Sequence, residues 1–257
     1  VMLNNKTPME AAFKPNIDSL AKTALIGLAK TVPDGFSPGS DVANLSVMGY
    51  NPEDCYSGRS PLEAASIGVD LADTDLCLRC NLVTLSDEEN YCDKQMVDYC
   101  GGDISTAEAD VLIKYLQKNL GDEVFSFHTG TQYRHCTVSK NTKNVPLKLT
   151  PPHDISGKVI GEYLSSVPEA EPFIKLMKKS YELLKNHPLN IERVKNGKKA
   201  ANSAWFWGEG VRPKVADFKE KNGVSGGVVG LHHVDGEGVV HVGVAQTVGD
   251  VGLGLAV

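Results

Sequence analysis

The chain has 257 residues, 41% hydrophobic and 23% charged, with a net charge of −6. That is the profile of an ordinary soluble globular protein with room for one large domain or two modest ones. The acidic balance argues against nucleic acid or an anionic membrane as partner. With no run of 18 apolar residues and no basic-then-apolar leader, a cytoplasmic location is expected.

In chain order, Pro8 to Lys30 reads as helix material feeding an apolar strand, with a cap-like start at Pro15-Asn16-Ile17-Asp18 and Ala24-Leu25-Ile26-Gly27-Leu28 as a short buried run. Residues 60–71 (SPLEAASIGVDL) predict a helix with proline just inside its start. Past Asp75 the texture turns strand-like at Leu82–Leu85, Val124–Phe127 and Tyr133–Val138. Between them Ser105-Thr106-Ala107-Glu108 has the form of a capping box. It opens an amphipathic helix to Leu120 with apolar residues at Ala109, Leu112, Ile113, Leu116 and Leu120. A second long helix is predicted from Glu169 to Asn186, ended by His187-Pro188, its lysines forming a solvated face. Ala204-Trp205-Phe206-Trp207-Gly208 reads as a strand entering a glycine turn. Strands alternating with helices indicate an α/β fold. The tail from Val228 is dominated by Gly and Val; the alternation from Val239 to Val244 could form a strand, weakened by glycine.

Six cysteines raise the question of a metal site. Cys77-x2-Cys80 with Cys92 and Cys100 invites a four-thiolate zinc site, but the second pair is spaced too widely. On a strand Cys77 and Cys80 would diverge to opposite faces, and reduced thiols are the competing reading.

The stretch with the most chemistry is VPDGFSPGSDVANLSVMGY, Val32 to Tyr50. Pro38-Gly39 leads into Ser40-Asp41 and then a helix-compatible run, the layout of a reactive serine at a loop-to-helix junction. There the first free N–H groups and the positive end of the dipole could hold a phosphoryl group on Ser40 Oγ. The alternative is that Ser40 or Asp41 simply caps the helix.

The segments TPMEAAFKPNIDSLAK, PGSDVANLSVMGYNP, GRSPLEAASIGVDLADTD, RCNLVTLSD, YRHCTV, PPHDISGKVIGEYL, NHPLNIERVKNGKKAANSAWFWGEG and RPKVADFKEKNGVSGGVV occur in this order. Together they resemble the archaeal-type cofactor-independent phosphoglycerate mutases of the alkaline phosphatase superfamily, over about residues 6–229. The resemblance implies an α/β, alkaline-phosphatase-like core in residues 1–74 and 200–257, interrupted by an α+β cap in residues 75–199, with the core expected to be incomplete at both ends. It implies interconversion of 3-phosphoglycerate and 2-phosphoglycerate through a phosphoserine on Ser40. A related phosphotransferase on another small phosphate ester, or a ligand-binding member without turnover, are the alternatives. The partner implied is a small phosphorylated acid.

The resemblance also implies two divalent metal ions (manganese, magnesium or zinc) that bind and activate Ser40, which makes Ser40 a metal ligand as well as the nucleophile. The family's carboxylate and histidine ligands are not recognisable here. Asp34-Gly35 only mimics one of its motifs, and His232, His233, Asp235 and His241 are either substitutes or exposed polar residues of the tail. In the cap, Arg134, His135, His153 and Asp154 are the candidates for substrate contact. A guanidinium matches carboxylate and phosphate, and histidine can exchange a hydroxyl proton. A cross-strand salt bridge for Arg134 and a turn role for His153 compete with this. Arg79, Arg193 and His128 are weaker candidates, and Trp205 and Trp207 are assigned to packing.

Overall fold

The computed structural model describes residues 3–142, 144–225, 229–232 and 241–244. Chain contacts divide the molecule into two units, Val1–Gly49 and Tyr50–Val257.

The first unit carries helices α1 (Pro8–Ala11), α2 (Pro15–Ala21) and α3 (Ser40–Val47). Thr7 and Glu10 close a capping box around the start of α1. The Ala24–Leu28 run is neither a strand nor buried: Leu25 and Leu28 are fully exposed. Among the described residues no strand pairs with it, so apolar composition alone finds no sheet in which to be buried.

The second unit is built on an antiparallel sheet. Helices α4 (Pro52–Cys55) and α5 (Ser60–Ser66) precede strands β1 (Leu76–Leu85) and β2 (Met96–Asp98). Then come α6 (Thr106–Leu120), β3 (Phe125–Thr131), β4 (Arg134–Ser139), α7 (Glu171–Leu184), α8 (Pro188–Lys195) and β5 (Ser203–Val211). A short helix α9 (Phe218–Asn222) and an antiparallel pair, β6 (Val229–His232) with β7 (His241–Val244), follow. Strand β1 is the centre: β5 runs along one side of it, and β4, then β3, along the other. The mixed α/β expectation holds at this level, with every described strand pairing antiparallel. The sheet takes in β5, which the sequence reading placed in the returning core.

Period-two alternation sorts the sheet into two faces. Leu76, Leu78, Cys80 and Leu82 are completely buried in the main core, with α6 and α7 over β3 and β5. Phe173 of α7 meets Phe206 of β5 edge-on, and Phe127 of β3 adds a tilted ring. The α6 stripe Ala109, Leu112, Ile113 and Leu116 is buried as its spacing predicts, and Ser105 with Glu108 forms the capping box. The exposed lysines of α7 face solvent. On the other face Cys77, Cys136 and Val138 form a smaller core with Ala64 of α5. Cys77 and Cys80 therefore point to opposite faces, and all six cysteines are free thiols.

Two local features differ from the sequence reading. Helix α5 stops at Ser66 rather than Leu71, because Gly68 takes a left-handed turn (φ +78°). At Gly208 the strand does not turn. It continues through a bulge: φ is +63° there and the β1–β5 register slips between Cys77 and Arg79. Ser60 Oγ donates to the Gly208 carbonyl, which docks the start of α5 on that bulge. Gly58 allows the approach, since a Cβ there would lie 2.8 Å from the Glu209 carbonyl oxygen.

Candidate functional site

The free part of the second sheet face holds a cleft of about 330 Å³. Strand β1 supplies Arg79 and Asn81, two residues apart and hence on one side. The register sets Arg134 of β4 opposite Asn81, and Trp207 of β5 opposite Arg79. Arg59 at the start of α5, Tyr99, Tyr133 and His153 complete the lining.

The walls are interlocked. The Arg79 guanidinium stacks on the Trp207 ring, 4.0 Å from its centroid. Trp207 Nε1–H donates to Asn81 Oδ1 at 3.0 Å, and Asn81 Nδ2 donates to the Tyr99 carbonyl at 3.2 Å. His153 packs edge-on against Trp207 and Tyr99, and Tyr99 edge-on against Tyr133. Glu63 of α5 takes Arg59 Nε on one oxygen and Arg79 Nε on the other, each at 2.9 Å. The Arg59 contact is a hydrogen bond, whereas the Arg79 contact is an ion pair outside hydrogen-bond angles. Burial lowers the Arg79 guanidinium pKa, and Glu63 works against that shift. Among the described residues no carboxylate pairs with Arg134. Three guanidinium groups thus line the cleft and one carboxylate, Glu63, contacts two of them, an arrangement that attracts a small anion with more than one negative charge.

The sequence-derived candidates separate. Arg134 and His153 line the cleft; His135 and Asp154 do not. His135 follows Arg134 on β4, so its ring turns to the opposite face and is buried at 3% exposure. There His135 Nδ1 accepts from the Gly130 N–H at 3.1 Å. Burial depresses its pKa to about 3, with Asp110 acting against the shift, so the ring is neutral at physiological pH. Asp154 is exposed and approaches His153 Nε2 at 3.7 Å. Arg193 is a structural residue, ion-paired with Glu108 and bonded to three backbone carbonyls. His128 is half-buried against Ser126 Oγ. Trp205 packs in the core and donates to the Thr150 carbonyl, as its packing assignment requires. Trp207, assigned likewise, is a cleft wall. Arg59, Asn81, Tyr99 and Tyr133 were missed. The polar pair Arg79-x-Asn81 inside an otherwise apolar strand was the readable signal for two of the walls; Arg59 and Tyr99 arrive from distant loops with no such mark.

In the first unit Ser40 is the first residue of α3, exposed, while Gly39 stands at the N-cap with no side-chain cap bond. The N-cap position thus belongs to Gly39, with Ser40 and Asp41 inside the first turn. Asp41 is buried beside Gly39, where a Cβ would collide with its carboxylate. Ser40 Oγ therefore stands in the first turn of α3, at the positive end of its dipole. Among the described residues there is no cluster of three or more His, Cys, Asp or Glu placed to hold a metal ion. The residues around Ser40 thus do not make the ligand set that two ions would need. His233 and Asp235, and the side chains of His232 and His241, lie outside the described residues. Among the described residues no helix is long and apolar enough to cross a membrane.

The family model for 2,3-bisphosphoglycerate-independent phosphoglycerate mutase matches residues 21–190. The protein of that name from Methanosarcina barkeri is 47% identical over 227 residues, covering 88% of this chain and 56% of the relative. The second such protein of Methanothermobacter thermautotrophicus is 42% identical over 228 residues, covering 88% of this chain and 55% of its own. The chain spans about half the length of the curated relatives it matches. Among solved structures it is similar to the PH0037 protein of Pyrococcus horikoshii (TM-score 0.63, 27% identity, 86% of this chain and 50% of that one). It is also similar to the cofactor-independent phosphoglycerate mutase of Thermoplasma acidophilum (TM-score 0.53, 27% identity, 86% and 57%). Matching relatives over most of its length, the chain belongs to the 2,3-bisphosphoglycerate-independent phosphoglycerate mutase family.

Proposed function

We propose that the chain takes part in the interconversion of 3-phosphoglycerate and 2-phosphoglycerate, with Ser40 carrying the phosphoryl group. The observation that carries this reading is the match to relatives of that name across 88% of the chain. The arginine cleft supports it, since a phosphoglycerate has two anionic ends and the cleft offers more than one guanidinium. Arg134 and Arg79 hold those ends, and His153 exchanges the proton of the sugar-acid hydroxyl. Ser40 Oγ forms a new bond to phosphorus as the ester bond to the glycerate breaks. The serine proton leaves and the freed glycerate oxygen takes one up. Return of the group to the other hydroxyl reverses the step, so no outside phosphoryl donor is consumed.

The same reading makes the sheet-bearing region a cap on an alkaline-phosphatase-like core. Its boundaries are best drawn to include α5 and β5, which pack on or pair with β1, rather than at residues 75 and 199. The two divalent ions that the resemblance implies have no ligand set among the described residues, and no step is routed through them. A cytoplasmic setting follows from the same proposal.

Incubation of the purified chain with 3-phosphoglycerate and a divalent metal is expected to yield 2-phosphoglycerate by phosphorus NMR. Ser40→Ala should remove both the phosphoserine and the turnover; turnover retained in that variant sinks the assignment.

A further inference from the structure

Glu63 belongs to none of the candidate sets, yet among the described residues it is the one carboxylate ion-paired with two walls of the cleft. Its Oε1 accepts from Arg59 Nε–H at 2.9 Å, and its Oε2 lies 2.9 Å from Arg79 Nε as an ion pair outside hydrogen-bond angles. Among the described residues neither guanidinium gives a hydrogen bond from its terminal nitrogens to a protein group. A guanidinium is a rigid plane, so the Nε hydrogen bond to Glu63 fixes where the two terminal N–H pairs of Arg59 point. Arg79 is oriented by its stack on Trp207, which Asn81 holds in turn, with the Glu63 carboxylate beside its Nε.

We propose that Glu63 is a positioning residue, a clamp that holds Arg59 by its Nε hydrogen bond and Arg79 beside it by an ion pair, so that their terminal N–H groups jointly receive one oxyanion of the substrate. The inference rests on the reading of the cleft as the phosphoglycerate site. It also explains how two like charges share one wall: the carboxylate between them offsets their repulsion while leaving their ligand-binding edges uncovered.

Charge and orientation predict opposite signs, which makes the proposal easy to break. By Coulomb's law alone, Glu63→Gln adds a positive charge to the cleft and tightens anion binding. By positioning, the amide accepts from one guanidinium and turns its own N–H groups against the other, and binding weakens. Calorimetric titration of the whole chain with 3-phosphoglycerate decides. Affinity for Glu63→Gln is expected to fall about tenfold or more, the scale of one lost charge-assisted contact, with thermal unfolding close to that of the parent. Equal or tighter binding overturns the clamp. Should Glu63→Gln fail to fold, Glu63→Asp, too short to span both arginines, is expected to lose affinity as well, and unchanged affinity there is equally fatal. Arg134→Gln separates the two levels, since it tests the cleft without touching the clamp. If the parent chain binds and Arg134→Gln does not, the cleft reading stands whatever Glu63 does. If the parent itself fails to bind, the cleft reading falls and the clamp with it.

Discussion

Two arginine sites in the second unit, only one of them open, show what separates a binding guanidinium from a structural one. Arg193 and Arg79 are both largely withdrawn from water, with side-chain exposures of 3% and 12%. Arg193 turns every nitrogen to a protein group, Nη1 as an ion pair outside hydrogen-bond angles. Nε donates to the Lys199 carbonyl at 3.1 Å, Nη2 to the carbonyls of Gly101 and Gly102 at 2.9 and 3.0 Å, and Nη1 pairs with Glu108 at 2.8 Å. Arg79 commits Nε to Glu63 and its flat face to Trp207, and its remaining donors face a cleft. Burial does not distinguish the two; the destination of the N–H groups does. A buried guanidinium with uncommitted donors carries a desolvation cost that a ligand can offset.

The comparison breaks most visibly at Arg193. Arg193→Met keeps the bulk but strands Glu108 and three backbone carbonyls, and is expected to cost about 3–5 kcal/mol in urea unfolding. It should leave phosphoglycerate affinity in the folded fraction close to the parent's. A loss of affinity without a loss of stability would reverse the roles assigned here.

Arg79→Lys probes the other site with a smaller effect on the fold. The charge and an ion pair to Glu63 persist, while the planar fork and much of the stack on Trp207 are lost. Stability should change by about 1 kcal/mol or less, and calorimetric affinity for 3-phosphoglycerate should drop roughly tenfold. If the lysine variant binds as tightly as the parent, positive charge alone explains the cleft.

Legibility in the sequence followed the same division between local and long-range information. Helix α6 was readable because its cap, Ser105 and Glu108, and its stripe lie within one segment. The divergence of Cys77 and Cys80 was readable from strand alternation. That rule, applied to Arg134-His135, also forbids both side chains from entering one cleft, although both were candidates. The bulge at Gly208 was not readable, because a left-handed glycine within a strand looks the same in sequence as one in a turn. Nor was the clamp: Arg59 and Glu63 are one helical turn apart, but Arg79 joins them only through the packing of α5 on β1. The Ala24–Leu28 run shows the converse failure, since local apolarity predicted burial that no tertiary partner among the described residues supplies.

His135 extends the comparison from arginine to the residue beside Arg134. Its folded pKa is about 3, against 6.5 for the free side chain, because burial disfavours the charged ring more than Asp110 favours it. Below pH 6.5 the unfolded chain takes up a proton that the folded ring refuses. Stability must therefore fall as pH drops from 6.5 toward 3, with His135 contributing about 1.4 kcal/mol per pH unit once well below 6.5. Glu108 is separable from this. Burial raises its carboxyl pKa, but Ser105 and Arg193 together outweigh that and bring it to about 2. Its contribution is present above the ordinary glutamate value of 4.5 and is lost only as pH falls from there toward 2. The interval from pH 6.5 to 5 therefore isolates histidine, and His128 and His187, also lowered by burial, leave a residual slope of their own. His135→Asn retains an acceptor for the Gly130 N–H but cannot titrate. It should be less stable than the parent at pH 8, by about 1–2 kcal/mol for the lost packing, yet show a flatter decline between pH 6.5 and 5 in urea unfolding. An equally steep decline would mean that His135 takes up its proton in the folded chain.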